Sequence, residues 1–265
     1  MKAPIGVIDS GVGGLTVAKE IMRLLPKETI YYIGDTARCP YGPRTKKEVR
    51  KFTWQMATAL EKMNIKMLVI ACNTATAAAL KSLQKNMSIP VLGVINPGAR
   101  AAVKKTKSHE IVVLATEGTV KSGAYEEALL SLSTSSKIIP LACPTFVPLV
   151  ESGEYEGEFA SKLVEDGLQP LKNEQFDTVI LGCTHYPIIQ KYIEATVGKD
   201  INVLSSAEET AKDVEAHLRF EGNLYTGDEK PAHKFLTTGS VPIFRSIAER
   251  WLEQDGLDVS RIHLK

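Results

Sequence analysis

Two apolar runs of the chain end in the same nucleophile. They are VIACNTATAAAL at residues 69–80 and VILGCTHYPIIQ at residues 179–190. In each, the cysteine is followed at once by small polar residues and a helix-like stretch: Cys72-Asn73-Thr74 and Cys183-Thr184-His185. A thiol has a reference pKa of about 8.5, so it can serve as a base when ionised and an acid when not. At a helix start, unpaired backbone amides favour the thiolate and also the anionic groups of a ligand. The pattern therefore points to thiol acid–base or nucleophilic chemistry on an anionic substrate.

Other uses of cysteine compete with this one. A cysteine at a strand end is often a small buried hydrophobe. That reading is open to all four cysteines and is weakest for Cys72 and Cys183, which both precede polar residues and a helix start. Zinc would need short ligand spacings, and none of Cys39, Cys72, Cys143 and Cys183 is near another. His109, His217, His233 and His263 sit in charged or loop contexts. A redox dithiol would resemble a CxxC pair, which does not occur. The glycine-rich DSGVGGLTV at 9–17 lacks both the GxGxxG spacing and the lysine of a phosphate-binding loop. It reads as a tight strand-to-helix turn with exposed amides, able to hold a carboxylate.

The elements that must position these residues follow a strand–helix beat. Strands are expected at 5–9, 29–35, 67–72 and 91–95, with helices at about 15–25, 45–63 and 74–84 between them. NPGAR at 96–100 breaks the pattern, after which strands are expected at 110–116, 137–143, 177–183 and 201–206. Helices are expected at about 120–132, 156–168, 185–195, 207–217 and 243–254, with two short strands around NLYTG and KFLTTG. Alternation of this kind predicts an α/β protein with parallel sheets flanked by helices. Two lobes are expected to meet near 96–98 and again near 206–208. Asp9-Ser10, Asp35-Thr36, Thr116 and both cysteine clusters then fall at carboxyl ends of strands, where α/β folds bind ligands. The two cysteine clusters belong to different lobes, so a cleft between them could carry one thiol on each wall.

Bulk properties exclude several classes. The chain has 265 residues, 44% of them hydrophobic, with 32 basic and 31 acidic residues. Such a balance gives no nucleic-acid tract and no polybasic anchor, and RTKKEVRK at 44–51 reads as a solvated face. MKAPIGVIDSG lacks a signal-peptide pattern, and no apolar run approaches a membrane span. A cytoplasmic protein with reduced thiols is expected.

The motifs IGVIDSGVGGLTV, YIGDTARCPYGPR, VIACNTATA, ACPTFVPLVE and LGCTHYP resemble those of the cofactor-independent bacterial glutamate racemases, within the wider group of aspartate, glutamate and hydantoin racemases. The resemblance runs through nearly the whole chain and is least distinctive over the last fifty residues. It implies catalytic roles for Cys72 and Cys183, with Asp9 beside the first, His185 beside the second and Glu151 assisting. It implies substrate contacts from Ser10, Pro40, Tyr41, Gly42, Asn73, Thr74, Thr116, Thr119 and Thr184. Ala115 stands where a glycine is more familiar. The resemblance further implies two pseudosymmetric three-layer lobes around an interlobe cleft. The first comprises residues 1–97 plus 207–265, and the second 98–206. It implies no PLP, metal or nucleotide cofactor, and commonly a homodimer. Relatives with an N-terminal extension take a peptidoglycan precursor as activator; without one in this sequence, that dependence is not expected.

Racemisation removes a hydrogen from one face of Cα and returns one to the other, which two opposed acid/base groups accomplish without moving the substrate. Donors beside each thiol are expected to hold the α-carboxylate as charge spreads into it. The side-chain carboxylate is expected near the amides of 39–42 or Thr184. The alternatives are a racemase or decarboxylase acting on another acid such as aspartate, and a dicarboxylate-binding module without turnover. The module would not need two strand-end cysteines.

Overall fold

The structure is a computed structural model that describes residues 2–265. The first half runs β1 (Ile5–Asp9), α1 (Leu15–Leu24), β2 (Ile30–Gly34), α2 (Lys46–Glu61), β3 (Met67–Ile70), α3 (Asn73–Asn86), β4 (Val91–Gly93) and α4 (Ile95–Lys105). It continues through β5 (Glu110–Ala115), α5 (Glu117–Ser122), α6 (Ala124–Leu132), β6 (Lys137–Ala142), α7 (Phe146–Ser152), α8 (Gly157–Leu168), β7 (Thr178–Gly182) and α9 (Gln190–Val197). The chain closes with β8 (Asn202–Ser205), α10 (Ser206–Phe220), β9 (Lys234–Thr237), α11 (Val241–Leu252) and β10 (Val259–Arg261).

Among the described residues these strands form two sheets, ordered β10-β9-β2-β1-β3-β4 and β6-β5-β7-β8. Every pairing is parallel. Take the first strand of each lobe as one: both sheets then contain the order 2-1-3-4, and this is the pseudosymmetry. The third strand of each lobe ends just before a cysteine: β3 two residues before Cys72 and β7 one residue before Cys183. The two thiols therefore occupy equivalent places at carboxyl ends of central strands.

The strand sequences explain the layering. IGVID, MLVI and TVILG are buried at every residue, as expected of parallel strands covered on both faces. Helices supply the cover with one apolar face. In α2 the buried residues are Val49, Thr53, Met56, Ala57 and Leu60, spaced for one side of the helix. A capping box starts that helix: Thr45 Oγ1 accepts from the Glu48 amide at 3.3 Å and Glu48 Oε2 accepts from the Thr45 amide at 3.1 Å.

Four sequence expectations are corrected. NPGAR lies inside α4 rather than breaking the pattern; Pro97 is in the first turn, where its missing N–H is not needed. NLYTG is not a strand. Its Tyr225 amide instead donates to Glu28 Oε1 at 2.8 Å, and the second C-terminal strand is β10. The expected 120–132 helix is two, because Gly123 (φ 65°) ends α5 in the left-handed conformation. Residues 186–189 form a 3-10 turn, and the α-helix begins only at Gln190.

Candidate active site

Cys72 caps the 14-residue helix α3, and its Sγ accepts from the Ala75 amide at 3.4 Å. Ser10 Oγ lies 3.7 Å from the same sulfur. Burial, followed by the charge of Asp9, pushes the Cys72 thiol up to about 12, against the opposing pull of the Ala75 amide and Ser10. Asp9 ends β1 with no exposed surface. It accepts from the Gly11 amide at 2.9 Å and from Thr184 Oγ1, across the lobes, at 3.3 Å. Burial raises the Asp9 carboxyl above its ordinary range, although the His185 charge and these hydrogen bonds oppose the shift.

Cys183 is surrounded differently. A 3-10 turn follows it rather than an α-helix, so the expected helix-terminus amides are replaced by an imidazole. His185 Nδ1 lies 3.8 Å from Cys183 Sγ, and its Nε2 lies 3.0 Å from Glu151 Oε1. Burial works against protonation of His185. The hydrogen bonds and charges of Cys183 and Glu151 overcome it, pushing the imidazole up to about 10. Burial alone would raise Glu151, but bonds to His185 and Cys39 hold its carboxyl below the ordinary range.

Both thiols line one cavity of about 20 Å³. On the first lobe its wall comes from Ser10, Pro40, Tyr41, Gly42, Asn73 and Thr74, and on the second from Thr116, Thr184 and His185. Val147 and Gly182, which the sequence did not single out, complete it. Three of the expected residues act from behind this wall. Asp9 and Glu151 reach it through Thr184 and His185 respectively. Thr119 closes a hydroxyl triangle with Thr74 and Thr116, whose sides are 2.8, 3.1 and 3.1 Å. Tyr41 donates to the Asp35 carboxylate through a short hydrogen bond, which seats the 39–42 loop.

Gly13 makes the lobe contact possible. A Cβ there would stand 2.6 Å from His185 Nδ1 and would also collide with Thr184 Oγ1. The Gly118 amide donates to Gly42 O at 3.0 Å, a second link across the cleft.

Cys39 Sγ donates to Glu151 Oε1 at 3.0 Å, which ties the 39–42 loop to the second lobe. No spacing in the sequence reveals a contact 112 residues away. Cys143 is buried in the second-lobe core, outside the cavity. A larger groove of about 890 Å³ lies among α1, α10 and the 3-10 turn. It holds none of the candidate residues, so volume alone does not locate the chemistry. Among the described residues no group of three or more His, Cys, Asp or Glu is arranged to hold a metal, and no helix is long and apolar enough to cross a membrane.

Residues 5–214 match the family described as Asp/Glu/Hydantoin racemase. The chain is 80% identical to a glutamate racemase of Lysinibacillus sphaericus over 265 residues, all of both chains. It superposes on a crystal structure of a Bacillus anthracis glutamate racemase isoform with a TM-score of 0.96 at 50% identity, covering 100% of this chain and 99% of that one. A glutamate racemase of Francisella tularensis in complex with D-glutamate gives a TM-score of 0.92 at 32% identity, covering 100% and 98%. With matches of that extent, the chain belongs to the Asp/Glu/hydantoin racemase family, among its glutamate racemases.

Proposed function

We propose that the cavity between the lobes takes glutamate and inverts its Cα by proton exchange with two thiols, without a cofactor. The D-glutamate so formed supplies peptidoglycan synthesis in the cytoplasm. The observation that carries this reading is that Cys72 and Cys183 line the same cavity from equivalent strand ends of two lobes.

The surroundings of the two thiols support an asymmetric resting state. Cys72, pushed up by burial and Asp9, rests as the thiol. Cys183 lies beside His185, whose imidazole its neighbours push up to about 10, and is the sulfur placed to act as the base. For one enantiomer, the Cys183 thiolate takes the Cα proton while the Cys72 thiol delivers its proton to the opposite face. One S–H bond forms, one breaks, and the charge moves from one sulfur to the other. The other enantiomer requires the reverse assignment, for which Asp9 and His185 carry protons to and from their neighbouring sulfurs. Charge that spreads from Cα into the α-carboxylate is held by the Asn73 amide and the hydroxyls of Ser10, Thr74, Thr116 and Thr184, supported by Thr119. The 39–42 loop takes the side-chain carboxylate.

A cavity of about 20 Å³ has room for about one water. The lobes, residues 1–97 with 207–265 and residues 98–206, therefore part to admit glutamate and close on it, which keeps the thiolate dry and aimed. The active form is a homodimer, to be checked by light scattering.

Optical rotation of L-glutamate solutions tests the reading directly. Purified protein with no added cofactor is expected to abolish the rotation of L-glutamate and to leave that of L-aspartate largely unchanged. Cys72→Ser and Cys183→Ser are each expected to lose about 10²–10⁴ in rate, the worth of one general acid or base. Wild-type rates in either mutant, or a preference for aspartate, would overturn the reading.

A further inference from the structure

Asn73 opens α3 beside Cys72, and its side chain is split between two environments. Oδ1 accepts from Tyr125 OH at 2.7 Å. Nδ2 is buried and has no hydrogen-bond partner among the described residues. A buried amide donor left unmade is costly and uncommon. This one belongs to a residue that lines the cavity, so the missing acceptor is a group of the substrate.

An amide presents a donor at one end and an acceptor at the other, and its partners decide which way it points. Tyr125 is 4% exposed, and burial pushes its phenol well above the ordinary range, so the hydroxyl keeps its proton and donates. With Oδ1 claimed by that proton, Nδ2 is the end left for the cavity. A reversed amide would turn its oxygen toward a carboxylate and repel it.

Tyr125 belongs to α6 of the second lobe, and Asn73 to the first, so this hydrogen bond crosses between them. It does so where the chain itself crosses. A Cβ on Gly98 would stand 3.3 Å from Tyr125 OH and 3.2 Å from Ser206 Cβ. Gly98 lies at the first connection between lobes and Ser206 at the second. On the other side, a Cβ on Gly182 would stand 3.1 Å from Tyr125 Cε2. The ring is seated at the junction of the two lobes.

We propose that Tyr125 is a positioning residue: it fixes the Asn73 amide with Nδ2 toward the substrate's α-carboxylate, and it does so when the lobes are together. This rests on the reading of the site as a glutamate racemase. Neither the apolar periodicity of α6 nor the cysteine motifs single Tyr125 out.

A double-mutant cycle of wild type, Tyr125→Phe, Asn73→Ala and the double variant tests it. Tyr125→Phe removes one hydroxyl, and melting curves establish that each variant is folded. In the wild-type background Tyr125→Phe is expected to lower kcat/KM about 10-fold, chiefly by raising KM, as befits loss of an aimed hydrogen bond. In the Asn73→Ala background the same change is expected to alter kcat/KM less than about two-fold, because the residue it acts through is gone. If Asn73→Ala turns over too slowly, calorimetric Kd values for D-glutamate read the same cycle. Equal losses in both backgrounds, or no loss in the wild-type background, would overturn the proposal. A wild-type protein that fails to racemise glutamate would instead defeat the functional reading itself.

Discussion

Cys183 Sγ and His185 Nδ1 lie 3.8 Å apart. The bonds and charges of Cys183 and Glu151 push the imidazole up to about 10, against the effect of burial. Glu151 Oε1 holds the far side of the ring, 3.0 Å from Nε2. Cys72 occupies the equivalent place in the other lobe, but faces the Asp9 carboxylate. The fold is pseudosymmetric while the electrostatics of its two thiols are not.

His185→Asn removes the cation and is expected to lower kcat/KM by about 10², the lower end of the range for one acid or base. Glutamate enantiomers have equal free energy, so kcat/KM must fall equally in both directions. The asymmetry of the site should therefore appear in kcat and KM separately. In wild type, activity that depends on protonated His185 should fall as pH rises through about 10. That limb should vanish from the His185→Asn profile. Its persistence would assign the limb to another group.

Asp9 predicts a gain in stability at the expense of activity. Its carboxyl is raised by burial, so the native state binds this proton more readily than the unfolded chain. Stability then falls as pH rises from the unfolded value through the raised native one, and at neutral pH the buried carboxylate is destabilising. Asp9→Asn keeps an acceptor for the Gly11 amide and removes the charge. We expect Tm at pH 7 to rise by about 2–4 °C, equivalent to about 1 kcal/mol in a chain of this size. The gain should shrink toward pH 4, and kcat should fall. Calorimetric scans at both pH values check this, and a lower Tm at pH 7 would contradict it.

Remote from the site, Lys66 Nζ and Glu28 Oε2 are 2.6 Å apart with side chains 1% and 3% exposed. Glu28 also accepts from the Tyr225 amide, and Lys66 donates to Asn223 O at 2.8 Å. Glu28→Gln removes the carboxylate from a buried charge pair and is expected to cost about 3–5 kcal/mol in denaturant unfolding, with KM for glutamate unchanged. A cost below 1 kcal/mol would mean the pair does not pin residues 223–225.

These contacts mark how far the sequence could be read. Fully buried parallel strands such as MLVI and TVILG announce themselves as continuous apolar runs, and the polar residues after them mark the crevice. NLYTG carries strand-like residues, but a charge pair from the connections before β2 and β3 holds it as a loop. NPGAR contains two helix breakers, yet its proline sits in the first turn, where it breaks nothing. Cys183 shows the same limit within the site. Its motif parallels that of Cys72, but the imidazole two residues on, not a helix terminus, sets its surroundings. Cys39 and Tyr125 reach the site only through tertiary contacts, to Glu151 and Asn73, which no local pattern encodes.

Proton bookkeeping at Cα tests the central claim most directly. Wild-type protein is allowed to act on L-glutamate in D₂O, and both enantiomers are analysed by mass spectrometry at low conversion. Two thiols on opposite faces predict that nearly all D-glutamate carries one deuterium at Cα while the remaining L-glutamate stays protiated. Product that retains the substrate's own hydrogen, or L-glutamate that exchanges as fast as it inverts, would show a single group serving both faces and would contradict the account.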